Sequence, residues 1–229
     1  GREISARAGG DAGYVGITGP LAAPPANKPR RVAFLETAGW EKANDESKQA
    51  LMAARERLAS GGIEVADRKS DQQVAAVEDA IAESMNVSMN INAWEGRWPL
   101  NSYASDMDPS RLSESARNRL AQGNSMNQDE FRDLLAERER VRGVYANLAG
   151  NFDLCISLTA PGAAPRGLGW TGDPSFVVPG SLLGVPAISM PVLAAEDNMP
   201  LGLQLLGFMN RDAELFAAAA GILALFQTQ

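Results

Sequence analysis

Residues 151–207 read NFDLCISLTAPGAAPRGLGWTGDPSFVVPGSLLGVPAISMPVLAAEDNMPLGLQLLG, and the fold follows from how this stretch divides. Three short apolar runs, residues 152–158, 185–191 and 201–207, are separated by loops dense in Gly and Pro. Runs of this length, rich in Leu, Ile and Val, suit strands, and the breakers between them suit turns. Run 152–158 is apolar on both faces, as a central strand is. In run 201–207, Leu201, Leu203 and Leu205 alternate with Gly202 and Gln204, which leaves one strongly apolar face. Apolar strands joined by Gly/Pro-rich crossings imply a buried sheet with a pocket at its edge.

Working outward, RVAFLE (residues 31–36) predicts a strand. Asn44 or Asp45 then caps a helix with Leu51, Ala54 and Leu58 at i, i+3 and i+7, Gly61 and Gly62 end it, and residues 63–66 predict a second strand. Strand, helix, strand in so short a span is a βαβ unit with parallel strands. Residues 71–92 predict one helix with Val74, Val77, Ile81 and Met85 on one stripe. WEGRWPLNSY (residues 94–103) predicts a loop that gathers Trp94, Trp98 and Tyr103 around a proline. A polar helix is expected from Ser110 to about Gln122, stopped at Gly123. A long one capped by Asn127 follows to Leu148, and its run Glu137, Arg138, Glu139, Arg140 reads as a solvated face with pairs inside the helix. Residues 211–226 close as an amphipathic helix with Leu215, Phe216, Ala219, Ile222, Leu223 and Phe226 on one stripe. The first 29 residues, rich in Gly, Ala and Pro, read as an extended connecting arm.

The totals narrow the chemistry. The 229 residues are 45% hydrophobic and 21% charged, which is globular composition. A net charge of −7 argues against nucleic acid, which needs a basic face to displace phosphate counterions. No apolar run is long enough to span a bilayer. Gly1 stands where an initiator Met would, which suggests a processed chain, and neither a secretory signal nor a transit peptide is visible; a cytoplasmic location is the expectation. The single cysteine, Cys155, rules out an internal disulfide and, lying mid-strand, reads as a buried inert thiol. The sequence has no histidine, so neither a Ser-His-Asp nor a Cys-His machine can be assembled from it, and zinc sites lose their usual ligand. Neither a cofactor nor a metal is expected.

Two motifs fail on context. Gly167, Gly169 and Gly172 fit G-x-G-x-x-G, but a Pro-containing segment separates them from the strand before, and Asp173-Pro174 stands where a helix should open. Gly180-Ser181-Leu182-Leu183-Gly184 resembles a nucleophile elbow loosely, with Pro179 where the first glycine is needed.

A family resemblance rests on an ordered set of pieces. These are Phe152-Asp153-Leu154; Thr159-Ala160-Pro161 with Ala164-Pro165; Leu183-Gly184-Val185-Pro186-Ala187-Ile188-Ser189 with Pro191; and Pro200-Leu201-Gly202-Leu203-Gln204-Leu205-Leu206-Gly207. A closing helix with Asp212, Glu214 and Leu215 follows them. In this order and spacing they resemble the C-terminal part of the amidase-signature family, serine amidohydrolases, and the helices before them and Gly9-Gly10-Asp11 in the arm are similar too. The resemblance implies an α/β chain forming part of a mixed-sheet α/β/α fold, and hydrolysis of a carboxamide C–N bond. The family's engine is a Ser nucleophile, a bridging Ser on a cis peptide and a Lys base, in which a desolvated neutral Lys stands in for His. In the family that Lys and a Gly/Ser-rich loop lie upstream of the arm, and this sequence has no Ser-Ser dipeptide, so no catalytic residue carries over.

What remains expected is a pocket side. Trp94, Tyr103, Thr159, Trp170, Asp173 and Phe176 are the candidate substrate-binding residues, since they lie in segments matching the family's pocket side. Residues 30–229 are then expected to be the C-terminal portion of an amidase-signature domain. Its partners would be a small-molecule amide substrate, taken together with the missing N-terminal half, and either that half or further copies of the chain. Two alternatives stand beside this: a non-catalytic interaction or regulatory module derived from an amidase, and a small-molecule binding protein.

Overall fold

Alternating apolar residues in two runs make the centre of a five-stranded mixed sheet. The computed structural model describes Arg7 and residues 22–227, and most of the arm's first 21 residues lie outside that range. The strands are β1 (Arg31–Phe34), β2 (Glu64–Ala66), β3 (Leu154–Leu158), β4 (Ala187–Ala194) and β5 (Pro200–Leu206), in the order β2-β1-β3-β5-β4. β1 is parallel to β2 and β3, whereas β5 is antiparallel to both β3 and β4. The described residues also form eight α-helices: α1 (Asp45–Ser60), α2 (Gln72–Ile81), α3 (Ser84–Glu95), α4 (Arg97–Asp106), α5 (Glu114–Ser125), α6 (Gln128–Ala146), α7 (Val178–Leu183) and α8 (Asp212–Gln227).

The expected βαβ unit is β1-α1-β2. Asn44 caps α1 by accepting the Ser47 N–H at 2.9 Å, and Leu51, Ala54 and Leu58 are its buried stripe. Period-two alternation then sorts the sheet. Val32, Phe34, Leu154, Ile156 and Leu203 pack beneath α1 and α8, which supply Leu51, Leu58, Leu215 and Ile222. Ala33, Cys155 and Leu206 face α2, α3, α6 and α7, through Val77, Ile91, Tyr145 and Leu183 among others. A one-residue slip of β3 would exchange Leu154, Ile156 and Leu158 with Cys155 and Ser157, so each face holds the register. The fold is α/β, three layers with the sheet in the middle.

Four local expectations are corrected. Residues 71–92 form two helices, α2 and α3, broken at Ala82–Glu83, where Glu83 leaves the helical region (φ −91°, ψ 13°). No Gly or Pro marks that break, and a 3.6-residue stripe absorbs it. Residues 94–103 are almost wholly helical, divided between α3 and α4; only Trp98, ahead of Pro99, is forced out of helical geometry (φ −100°, ψ 122°). Gly123 does not stop its helix but lies within α5, because a Cβ there would overlap the Ala93 carbonyl oxygen on α3. On α8, Phe216 and Leu223 face outward, and the buried stripe is Leu215, Ala218, Ala219 and Ile222. The pairing expected within residues 137–140 of α6 does form, Arg140 with Glu137 at 2.6 Å and Arg138 with Glu139 at 3.4 Å, and Arg142 joins Glu139 at 3.0 Å.

Candidate functional site

Parallel β1 and β3 end on the same side of the sheet, and the loops that leave them make a cleft of about 700 Å³. Its floor comes from three strands. The Thr159 N–H, just past β3, donates to the Gly202 carbonyl at 3.0 Å and so extends the ladder into the cleft. The Thr159 hydroxyl meets the Ser189 hydroxyl of β4 at 2.9 Å, although β5 runs between their strands. Gly202 makes this bond possible, because a Cβ at that position would overlap both oxygens.

One wall comes from the chain after β1. Thr37 adopts a left-handed conformation (φ 58°), and a 3₁₀ turn, Trp40–Lys42, delivers the Lys42 ammonium 2.9 Å from Asp173 Oδ2 on the opposite wall. Hydrogen bonding from Ser175, and then the Lys42 contact, hold the Asp173 carboxyl below the ordinary carboxylate range. Gly39 packs face-on against the Phe176 ring, where a Cβ would come within 2.7 Å of Cδ2. Phe176 is therefore a buried wedge below the cleft, not part of its surface. Its carbonyl and the Ser157 hydroxyl each accept from the buried Gln204 side chain at 2.9 Å, which ties the 173–176 loop to the sheet. Trp170, 63% exposed, stands at the rim. A second cavity of about 570 Å³ shares residues 162–165 and Asn44 with the first and carries Glu196, Asp197 and Arg166.

Of the six residues expected from the sequence, Thr159, Trp170 and Asp173 come together on the cleft surface, and Phe176 supports it from below. Trp94 and Tyr103 lie in the helical layer and line neither cavity. Trp94 stacks on Phe131 with ring centroids 5.0 Å apart, and the Arg97 guanidinium covers its face. Tyr103 is half-exposed on α4. Lys42, Ser189 and Gly202 also line the cleft and Gln204 braces it from below, and none of the four is among the residues expected from the sequence. The only sequence signal for Gln204 is a lone amide among leucines; for Lys42 there is none.

This wall can bind and orient, and its polar groups are already engaged with one another. Lys42 is held by Asp173, and the two floor hydroxyls are held by each other. Burial raises the Cys155 thiol to about 12, so it is not a nucleophile. Among the described residues no group of three or more His, Cys, Asp or Glu side chains could hold a metal ion, and no helix is long and apolar enough to cross a membrane.

The Amidase family model matches residues 20–216, and the chain belongs to that family. It is similar to a fatty acid amide hydrolase of Medicago truncatula, 31% identical over 124 residues that cover 49% of this chain and 20% of the relative. It is also similar to a glutamyl-tRNA(Gln) amidotransferase subunit of Clostridium botulinum (strain Eklund 17B / Type B), 34% identical over 98 residues, 39% of this chain and 20% of that one. A solved amidase structure superposes with a TM-score of 0.74 at 22% identity, covering 89% of this chain and 47% of the other, and so shares the fold. The chain thus spans about half the length of that amidase and matches a fifth of each of these curated relatives.

Proposed function

We propose that the chain is the C-terminal portion of an amidase that hydrolyses a carboxamide C–N bond, and that its cleft forms one side of the substrate pocket. The Ser-cisSer-Lys triad would be supplied by sequence upstream of the arm. The observation that carries this reading is the family match across residues 20–216 in a chain that contains no Ser-Ser dipeptide and no histidine. The engagement of Lys42 by Asp173 at 2.9 Å supports it, since the lysine of this cleft is committed to a carboxylate and not to a serine hydroxyl. Residues 30–229 would then be one part of a larger domain, reached through the arm.

The test compares two proteins, the 229-residue chain and a version extended by the coding sequence before Gly1. The extended protein is expected to carry a Lys and a Ser-Ser-Gly loop and to hydrolyse simple amides. The 229-residue chain is expected to match buffer alone. Hydrolysis by the shorter chain, retained after repurification and in preparations from unrelated hosts, would sink the proposal.

A further inference from the structure

The two ionised side chains that line the cleft are paired with each other. Lys42 and Asp173 face each other at 2.9 Å, and the Asp173 carboxyl is held in its ionised form by Ser175 and Lys42. The adjoining cavity, outside this cleft, carries the exposed Arg166–Asp197 pair at 3.3 Å and Glu196, which accepts from the uncharged Asn44 amide at 3.2 Å and keeps its charge. A charged ligand entering the cleft gives up water and must compete with a partner already in place, so its desolvation is poorly repaid. The remaining polar groups of the floor are uncharged. In the Thr159–Ser189 pair one O–H donates to the other oxygen, which leaves one O–H and the remaining lone pairs for a ligand. At the rim of the same cleft Trp170 presents an exposed indole that stacks on no other ring among the described residues.

Taking the cleft as one side of an amide pocket, we propose that it selects an uncharged carboxamide bearing a flat apolar group. Trp170 is the face on which that group stacks. The Thr159–Ser189 pair bonds its polar atom, and the Lys42–Asp173 pair turns away net charge of either sign. Lys42 and Asp173 are thereby specificity-determining residues: removing either one unmasks the charge of the other.

The experiment is calorimetric titration of the 229-residue chain with benzamide, with anionic 4-carbamoylbenzoate and with cationic 4-(aminomethyl)benzamide. Benzamide is expected to bind about tenfold more tightly than either ionic probe, the scale of one poorly repaid desolvation. Trp170→Ala is expected to weaken benzamide about fivefold, while Trp170→Phe, which keeps a ring, retains most of the affinity. Asp173→Asn should move the anionic probe ahead of the cationic one, and Lys42→Met should do the reverse. An ionic probe binding the unsubstituted chain as tightly as benzamide would overturn the proposal, as would the absence of saturable binding by any of the three. That comparison needs no variant, so a substitution that fails to fold leaves it intact. The proposal and the amidase reading fail separately. An extended protein that hydrolyses neutral and ionic amides alike sinks the selectivity alone, and neutral-selective binding without hydrolysis by the extended protein sinks the amidase reading alone.

Discussion

Gly202 owes its place to what it lacks. With hydrogen in place of a side chain, it lets hydroxyls from β3's end and from β4 meet across β5, so Gly202→Ala must push Thr159 or Ser189 aside. We expect the substitution to cost about 1–3 kcal/mol in urea unfolding, in the range of overpacked interiors. Removing both hydroxyls in the same chain, with Thr159→Ala and Ser189→Ala, should recover most of that loss; a triple variant no better than Gly202→Ala would show that the strain lies elsewhere. Glu78 poses a different problem, a buried carboxylate. It accepts the Glu36 N–H at 2.5 Å and the Thr37 N–H at 3.2 Å, and so braces the turn that leads to Lys42. Burial nevertheless raises its carboxyl above the ordinary 4.5, and neighbouring Glu36 adds to the rise. Between that ordinary value and the raised one, the folded chain keeps a proton that the unfolded chain has released, so this group's contribution to stability falls as pH climbs. Glu78→Gln cannot ionise. The difference in urea midpoint between the two proteins should therefore shift in favour of Glu78→Gln as pH rises from 4.5, and a constant difference would refute the assignment.

At the scale of elements, the same substitution should have opposite signs on two helices. Gly143 on α6 is exposed, and a Cβ there would meet nothing within 4 Å. Gly143→Ala should therefore gain up to about 1 kcal/mol from helix propensity. Gly221 on α8 lies beneath the end of the arm, where the Asn27 N–H donates to the Ala217 carbonyl at 2.9 Å and a Cβ would overlap the Asn27 carbonyl oxygen. The propensity gain is the same, but a backbone group cannot swing away as a side chain can, so Gly221→Ala should lose about 1–3 kcal/mol and expose residues 22–29 to protease. Limited proteolysis beside thermal unfolding of both variants checks the pair. These cases also mark what was legible beforehand. β1, β3 and β5 are legible because alternation and burial are local, and Asn127 marks α6 because a cap is local too; Thr159 and Asp173 line the cleft, and only the family resemblance pointed to them. Lys42, Ser189 and Gly202 belong to the cleft only through contacts between strands and loops distant in the chain, which no spacing along it encodes. Trp94 and Tyr103 line neither cavity, and aromatic residues around a proline look alike in sequence whether a loop holds them or two helices abut there.

At the scale of the whole molecule the sheet has two unequal ends. β2 closes one with three residues, whereas β4 leaves eight residues at the other with no strand outside it among the described residues. An open edge of that length is a template for another chain. Pro191 withholds one N–H, and the pairing with β5 shifts between Met190 and Leu193, so the usable edge is the run from Ala187 to Met190. Large apolar side chains exposed elsewhere, Trp98, Met107 and Phe216 among them, add surface that favours association. We therefore expect the 229-residue chain to associate, with a weight-average mass in sedimentation equilibrium that rises with concentration. Ala187→Lys, which adds charge at an exposed edge position, should lower that rise without altering unfolding. On the amidase reading proposed above, adding a triad-bearing N-terminal half should replace this self-association with a one-to-one complex. A compact monomer at every concentration would refute the expectation. Association that Ala187→Lys leaves unchanged would move the contact from the β4 edge to the exposed apolar side chains of the helical layers.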